Sequence, residues 1–294
     1  MNLPCLLPTT VVGSFPCIQT GGLFDPYKKA MKFAVAEQLR AGIDIISDGQ
    51  VRAGMVQLFT GKLPGISGSS VVGKIGCAGS PITVADTRYA LSQTKMVKGI
   101  LTGPCTISYA LQIETPTYRN KEEVALDLAA ALHEEAKHLA HAGCTIIQID
   151  EPILSTGAIP IDLAKRCVSV VFDGIDTPSC IHTCGVLGDI TDEWTKIPVD
   201  ILDFEYAVSP ENLETLSRHD LHGKKIGCGC VKSSDQAVES VAEIEAHICN
   251  CIDTFGKDNI LIDPDCGLRM HTPEGAYQKL TNMCAAVKTV RSEL

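Results

Sequence analysis

The sequence lacks clustered positive charge and long apolar runs. It contains 25 Lys and Arg against 35 Asp and Glu, which gives a net charge of −10. Binding to nucleic acid or to an anionic membrane surface requires grouped basic side chains, and the chain has no such group. No run reaches the ~18 apolar residues that cross a bilayer, and the first residues lack the basic segment of a signal peptide. We therefore expect a cytoplasmic protein with neither a nucleic-acid nor a membrane partner.

Cysteine, by contrast, is abundant, with 14 residues spread along the chain. In the cytoplasm most of them are expected to be free thiols that pack as small core residues, not disulfides. The functional question is therefore which few of these thiols bind a metal.

Strand-like and helix-like segments alternate along the chain. The apolar, strand-like segments are eight in number and are centred near Val12, Ile45, Lys98, Ile147, His182, Asp203, Gly227 and Ile262. Alternation predicts a parallel sheet, and eight units of this length predict a closed (β/α)8 TIM barrel. A doubly wound open sheet is the alternative, but no G-x-G-x-x-G follows the first strand. No linker interrupts the pattern, so residues 1–294 are expected to form a single domain.

One connection, between the second and third predicted strands, is too long for a simple loop. Residues 65–94 are rich in Gly, Ser and Val, and we expect them to form a small hairpin insertion. A purely structural hairpin is the favoured interpretation, and a segment that covers the barrel mouth or docks a donor is the other.

Polar side chains are concentrated where the predicted strands end, which is where TIM barrels place their chemistry. His182 and Cys184 are two residues apart on the fifth strand, a spacing that puts both side chains on one face. Glu205 ends the sixth strand and Cys266 follows the eighth. One imidazole, two thiolates and a carboxylate form a plausible tetrahedral set for zinc, because soft ligands favour zinc over magnesium or calcium.

Other pairs compete with this set. Cys228 and Cys230, in the segment IGCGC, are either metal ligands or small packed thiols in a Gly-rich turn. His138 and His141 lie three residues apart on a predicted helix, a pattern more typical of a solvated helical face than of a site.

Six motifs, in order, carry a resemblance to a known family. They are TTVVGSFP, LTGPCTI, IQIDEPIL, IHTCG, LDFEY and DPDCGL, and they extend from Thr9 to about Val290. Together they resemble the catalytic barrel of cobalamin-independent methionine synthases. In that family a His-x-Cys pair, a later Glu and the Cys of a PDCG turn hold zinc, which implies the same role here for His182, Cys184, Glu205 and Cys266.

The resemblance also implies a pocket for L-homocysteine. The GSFP turn would supply contacts at Val12 and Ser14, and Asp150 would accept a hydrogen bond from the ammonium group with help from Glu151. The family usually has a glutamate where this sequence has Gln50. An amide oxygen still accepts a hydrogen bond, but with less charge assistance.

Two departures from the family concern the methyl donor. A folate-stacking tryptophan is replaced by Ala110, and the only tryptophan in the chain is Trp194. The family's acid histidine is also missing, and Lys232 or Ser234 stands in its neighbourhood. The sequence therefore resembles a short form, found in archaea and some anaerobic bacteria, that takes the methyl group from a methylcorrinoid. The donor would be methylcobalamin or a corrinoid protein, whose departing cob(I)alamin needs no proton.

Two other functions stay open. Related zinc barrels methylate other thiols such as coenzyme M, and a wider set of similar barrels decarboxylates uroporphyrinogen. A non-catalytic subunit that binds zinc and a corrinoid is the non-enzyme alternative. The aspartate of the IDEP motif, Asp150, favours an amino-acid acceptor over these possibilities.

Overall fold

The architecture is that of a computed structural model, which describes residues 4–18, 21 and 24–294. The helices in chain order are α1 (Lys28–Ala41), α2 (Met55–Thr60), α3 (Val84–Gln93), α4 (Pro104–Ala110), α5 (Lys121–Ala142), α6 (Ile161–Val171), α7 (Thr191–Trp194), α8 (Glu211–Leu216), α9 (Val241–Phe255) and α10 (Pro273–Glu293). Two short 3₁₀ segments cover Pro152–Thr156 and Gly188–Ile190. None of the helices within the described ranges is both long and apolar enough to cross a membrane.

The strands form one large parallel sheet and one small sheet. In chain order they are β1 (Ile66–Ser67), β2 (Ser70–Val71), β3 (Lys98–Thr102), β4 (Gln112–Ile113), β5 (Ile146–Asp150), β6 (Ser179–Thr183), β7 (Ile201–Glu205), β8 (Lys225–Val231) and β9 (Ile260–Pro264). The large sheet has the order β3-β5-β6-β7-β8-β9, and every neighbouring pair in it is parallel.

Three single-residue bridges close this sheet into a ring. Thr9 bridges Ile262 of β9, Thr10 bridges Ile45, and Ile46 bridges Val97 beside β3. The first two barrel positions are therefore short bridged segments and not full strands. The predicted TIM barrel is confirmed, and its polypeptide order matches the alternation of strands and helices along the sequence.

The helices end where the sequence supplies a residue suited to the turn. α1 ends at Gly42 and α5 at Gly143, and both glycines adopt positive φ angles, of 92° and 98°. A residue without a Cβ adopts this left-handed conformation at little cost, so both glycines stop their helices.

The barrel wall has an inner and an outer face. Alternate strand residues point to opposite faces, so β5 directs Ile147 and Ile149 outward into the main core beneath the helices. An apolar layer closes the bottom of the interior, formed by Ile45, Ile146, Cys180, Ile201 and Leu261. The polar inward residues lie above this layer, toward the carboxyl ends of the strands.

The segment 65–94 agrees with its prediction only in part. The hairpin is confined to β1 and β2, which pair antiparallel, and β2 also pairs in parallel with β4. A small hairpin is therefore present as expected, but it covers only part of the segment, and the remainder contains α3, which was not expected. The start of α3 is anchored because the buried carboxylate of Glu135 accepts hydrogen bonds from the backbone N–H of Ile82 and of Thr83. The segment thus supplies the barrel helix that precedes β3.

Candidate active site at the carboxyl ends of the strands

Three of the four predicted metal ligands converge at the barrel mouth. His182 lies near the end of β6, Cys184 is the first residue after that strand, and Cys266 follows β9. One ligand atom from each lies within 4.8 Å of the other two. Among the described residues this is the one group of three or more His, Cys, Asp or Glu side chains with such spacing.

The histidine is held in an orientation suited to metal binding. Its Nδ1 lies 2.8 Å from Oδ1 of Asp203, and its Nε2 is buried without a hydrogen-bond partner. A proton on Nδ1 donated to the carboxylate leaves the lone pair of Nε2 available, an arrangement that commonly orients metal-binding imidazoles. An unpartnered buried nitrogen costs free energy, and a metal ion would remove that cost.

The two thiols complete a donor set that fits zinc. The hydrogen bond from Cys184 and burial both raise the pKa of the Cys266 thiol well above its usual value. A cation between the two sulfurs would reverse this effect, because a coordinating thiol is deprotonated by the ion. Two sulfurs and one imidazole nitrogen match the preference of zinc for soft ligands and leave one tetrahedral position unfilled.

Glu205, the fourth predicted ligand, is not brought into this group. It is the last residue of β7, and its Oε2 accepts a hydrogen bond of 2.7 Å from the backbone N–H of Gly185. Asn212 reinforces the contact by donating to the carbonyl oxygens of Gly185 and Glu205. In this arrangement Glu205 anchors the turn that follows Cys184.

A cavity of about 290 Å³ opens beside the three ligands. Four of the five predicted substrate contacts line it together with the ligands, namely Val12, Ser14, Gln50 and Asp150. The remaining walls are formed by Ala53, Met55, Leu58, Pro152, Gly267, Arg269 and Met270. A mostly apolar cavity with a few convergent polar groups is the usual form of a small-molecule site.

Asp150 supplies a buried carboxylate to this cavity. Burial raises its pKa to about 6, while the His182 imidazole and a hydrogen bond from Gln148 act in the opposite direction. The Nε2 of Gln148 donates to Oδ1 of Asp150 at 2.6 Å and to the carbonyl oxygen of Val12 at 2.8 Å. Asp150 is therefore largely ionised above pH 7 and held in a fixed orientation.

Glu151, the fifth predicted contact, points to the other side of the strand. It is fully buried, and its carboxylate accepts hydrogen bonds from the backbone N–H groups of Cys105 and Thr106 and from the Thr106 hydroxyl. These groups belong to the first turn of α4. The prediction that Glu151 contacts substrate is corrected here, because the side chain caps a helix and does not line the cavity.

Gln50 and Ser14 also line the cavity. Gln50 has a φ of 43°, uncommon for a residue with a side chain, and its buried Nε2 has no hydrogen-bond partner. Ser14 lies against Gly267, where an added Cβ would be only 2.0 Å from the serine Oγ. A residue with a side chain at position 267 would therefore require the Ser14 hydroxyl to move.

Three interior polar residues, Lys98, Gln148 and Asp203, were missed by reasoning from strand ends. They are buried within the barrel strands together with Asp263, which the sequence places at the end of the last strand. Burial alone would raise the pKa of Asp203, but the nearby His182 and Lys98 charges hold it below its usual value. Burial and the Asp203 charge raise the pKa of Asp263 well above its usual range. The available signal was a polar residue at an inward position of an otherwise apolar strand.

The competing sequence candidates lie elsewhere. Cys228 and Cys230 are fully buried on the outer face of β8 and pack in the core beneath the helices. His138 and His141 are exposed on α5, as expected for a solvated helical face. Neither pair reaches the cavity.

Comparison with known proteins agrees with this geometry. Residues 23–289 match the family described as the catalytic domain of cobalamin-independent synthases. The chain belongs to the cobalamin-independent synthase family. The methionine synthase of Methanocaldococcus jannaschii is 41% identical over 96% of this chain and 99% of its own length. The methionine synthase of Saccharolobus solfataricus is 31% identical over 98% of this chain and 96% of its own length.

Solved structures show the same cobalamin-independent synthase fold. A B12-independent methionine synthase from Shewanella sp. W3-18-1, in complex with selenomethionine, aligns with a TM-score of 0.87 and 26% identity, over 98% of this chain and 99% of that one. A methyltransferase from Methanosarcina mazei aligns with a TM-score of 0.70 at 14% identity, over 97% of this chain and 94% of that one, which supports the fold alone.

The structure also places the two residues that bear on the expected departures from the folate pattern, Trp194 and Ala110. Trp194 is fully buried, and its Nε1 donates to the Thr183 hydroxyl at 3.0 Å, so its ring has no face open to a ligand. Ala110 is the last residue of α4, and its side chain is a single methyl group.

Proposed function

We propose that the protein transfers a methyl group from a methylcorrinoid to the thiol of L-homocysteine, giving methionine, with zinc as its metal. The observation that carries the proposal is the convergence of His182, Cys184 and Cys266 beside a cavity that also contains Asp150. Two sulfurs suited to binding a metal and a buried carboxylate within one small cavity suit a substrate with a thiol at one end and an ammonium group at the other.

An amino-acid acceptor is supported by the walls of the cavity. Asp150 would accept hydrogen bonds from the ammonium group, while the Gln148 amide keeps its carboxylate in place. Ser14 and the unpartnered Nε2 of Gln50 would bind the substrate carboxylate. The relatives named above are methionine synthases, and the Shewanella protein was solved with an amino acid of the same shape as methionine.

His182, Cys184 and Cys266 would hold the metal. When bound, zinc lowers the pKa of a thiol ligand and so supplies a thiolate near neutral pH, where a free thiol is only a few per cent ionised. Asp203 fixes the imidazole through Nδ1. Glu205 would serve as a fourth ligand in the absence of acceptor only by releasing the N–H of Gly185, which makes it the ligand most readily exchanged for the substrate thiol.

The reaction is then a displacement at the methyl carbon. A bond forms between the acceptor sulfur and the methyl carbon as the cobalt–carbon bond breaks, and its electron pair stays with cobalt as cob(I)alamin. No proton is needed by this leaving group, which agrees with Lys232 and Ser234 standing where the family's acid is expected. The protein contributes the orientation of the acceptor and a largely apolar cavity, which favours a close approach of sulfur and methyl.

A corrinoid donor is supported by the two expected departures from the folate pattern. Ala110 stands where the resemblance places the stacking tryptophan, and the only tryptophan, Trp194, is buried, so a folate ring would lack its platform. Lys232 and Ser234 stand near the position of the acid histidine. The M. jannaschii methionine synthase is matched over 99% of its own length, so that relative has the size of this single barrel. The Shewanella methionine synthase is described as B12-independent, so the identity of the methyl donor is the point to test first.

The test uses zinc-loaded protein under anaerobic conditions with L-homocysteine. Methylcobalamin and methyltetrahydrofolate are supplied in separate reactions, and methionine is measured in both. We expect methionine with loss of the methyl–cobalt absorbance from the first donor and none from the second. Methionine from the folate alone would contradict the corrinoid donor but keep the acceptor. Replacing L-homocysteine by coenzyme M with methylcobalamin tests the acceptor, and preferential methylation of coenzyme M would contradict it.

A further inference from the structure

A buried lysine lies beneath both parts of the site, the acceptor pocket at Asp150 and the metal ligands around His182. Lys98 is the first residue of β3, points into the barrel, and has 2% of its side chain exposed. Its Nζ donates to Oε1 of Gln148 at 2.6 Å and lies 3.9 Å from Oδ2 of Asp203. A buried ammonium group is costly unless it is paired, so these two contacts are what keep Lys98 in place.

The first contact fixes the orientation of an amide. Since Oε1 of Gln148 accepts from an ammonium group, Nε2 is directed to Asp150 and to the carbonyl oxygen of Val12. The reverse orientation would place the NH₂ group against Nζ of Lys98, which has only donors to offer. Lys98 therefore reinforces the orientation in which Gln148 donates to the cavity carboxylate.

The second contact reaches the metal ligand. Asp203 accepts from Nδ1 of His182 through Oδ1 and faces Lys98 through Oδ2. Gly227 makes room for this carboxylate, because an added Cβ there would lie 2.7 Å from Cγ of Asp203. Lys98 thus touches the groups that orient both Asp150 and His182.

We propose that Lys98 is a positioning residue that couples the acceptor pocket to the metal ligands through Gln148 and Asp203. The inference rests on the proposed function, because it assigns the contact with Gln148 to the binding of an amino-acid acceptor and the contact with Asp203 to the binding of zinc. Lys98 itself does not line the cavity and is not a catalytic residue.

A purely structural role is the competing explanation, and the chain contains a matched control. Lys279 on α10 is also fully buried, and its Nζ lies 2.8 Å from Oε2 of Glu239 and 2.9 Å from the carbonyl oxygen of Lys232. None of these three residues lines the cavity. Lys279→Met therefore removes a buried ion pair of similar kind and leaves the contacts of Gln148 and Asp203 intact.

The experiment measures two affinities for each variant. L-methionine binding is measured by calorimetry, and zinc affinity by competition with a chelator. Lys98→Met should weaken both, each about tenfold or more. Gln148→Glu keeps an oxygen for Lys98 but loses both donated hydrogen bonds, so it should weaken methionine binding and leave zinc affinity unchanged. Lys279→Met should leave both affinities at the wild-type values.

The outcomes separate the explanations. Folded Lys98→Met protein with wild-type affinities for both ligands would overturn the inference, as would equal losses in Lys279→Met. If Lys98→Met does not fold, Gln148→Glu decides, and wild-type methionine binding in that variant would overturn it. Wild-type protein that binds zinc but neither L-methionine nor L-homocysteine would instead reject the proposed function.

Discussion

Cys184 and Cys266 lie at the inner rim of the barrel, whereas Cys228, Cys230 and Cys251 lie between the strands and the outer helices. Both groups bring sulfurs together. The rim group adds an imidazole nitrogen without a partner and borders a cavity. Burial raises the pKa of Cys228 to about 11 and that of Cys251 well above its usual value, so these thiols stay protonated.

Two carboxylates show the same difference between the inner and outer faces of the barrel. Asp150 and Glu151 are consecutive, yet Asp150 lines the cavity and Glu151 caps α4 on the other side. The comparison teaches that residue type and proximity to a strand end are not enough to mark a functional group. The face of the strand decides whether a thiol or carboxylate meets the cavity or the core.

The largest effect is expected at the rim thiols. Cys184→Ser and Cys266→Ser each remove one of three converging ligands, so zinc content should fall well below one ion per chain and methionine formation should drop by roughly a hundredfold or more. Zinc is measured by atomic absorption on folded protein, and turnover with L-homocysteine. Either variant with full zinc and full activity would break the distinction between the rim and outer thiols.

An intermediate effect is expected at the consecutive carboxylates. Asp150→Asn removes a charge-assisted contact of ~1.5–3 kcal/mol, so KM for L-homocysteine should rise by about 10–100-fold with zinc content unchanged. Glu151→Gln is the matched variant and should lower the free energy of unfolding by ~1–3 kcal/mol with little change in KM. Similar KM values for the two variants would show that both carboxylates serve the same role.

The smallest functional effect is expected at the outer thiols. Cys228→Ala leaves a small cavity in the core and should lower the free energy of unfolding by ~1 kcal/mol. Zinc content and KM should match those of the wild-type protein. Chemical denaturation measures the first quantity, and the zinc and turnover assays measure the others. A loss of zinc in this variant would contradict the distinction, because it would show that the outer thiols take part in metal binding.

Much of the barrel could be predicted from local pattern. The apolar run around Ile147 and the glycines at 42 and 143 predicted strand and helix ends that the structure contains. The segment 65–94 was predicted less well, because its glycines suggested a turn while α3, from Val84 to Gln93, contains none. The start of α3 depends on Glu135, which is distant in sequence.

In the candidate site, too, features set by local spacing could be predicted and features set by distant partners could not. Spacing predicted that His182 and Cys184 share a face, and the PDCG turn pointed to Cys266. Their metal-binding role stays a prediction, although the structure places their ligand atoms together. The roles of Glu205 and Lys98 could not be predicted, because both depend on long side chains whose partners belong to other segments of the chain.

By itself, the sequence determined the alternation of strands and helices, and with it the edge at which the polar strand ends gather. These features follow from periodicities of 2 and 3.6 residues, which are local properties of the chain. Only the tertiary structure decided that Asp150 meets the cavity while Glu151 caps a helix, and that Lys98 lies under both halves of the site. A buried polar group is oriented by the partners that pay for its desolvation, and those partners come together only when the barrel closes.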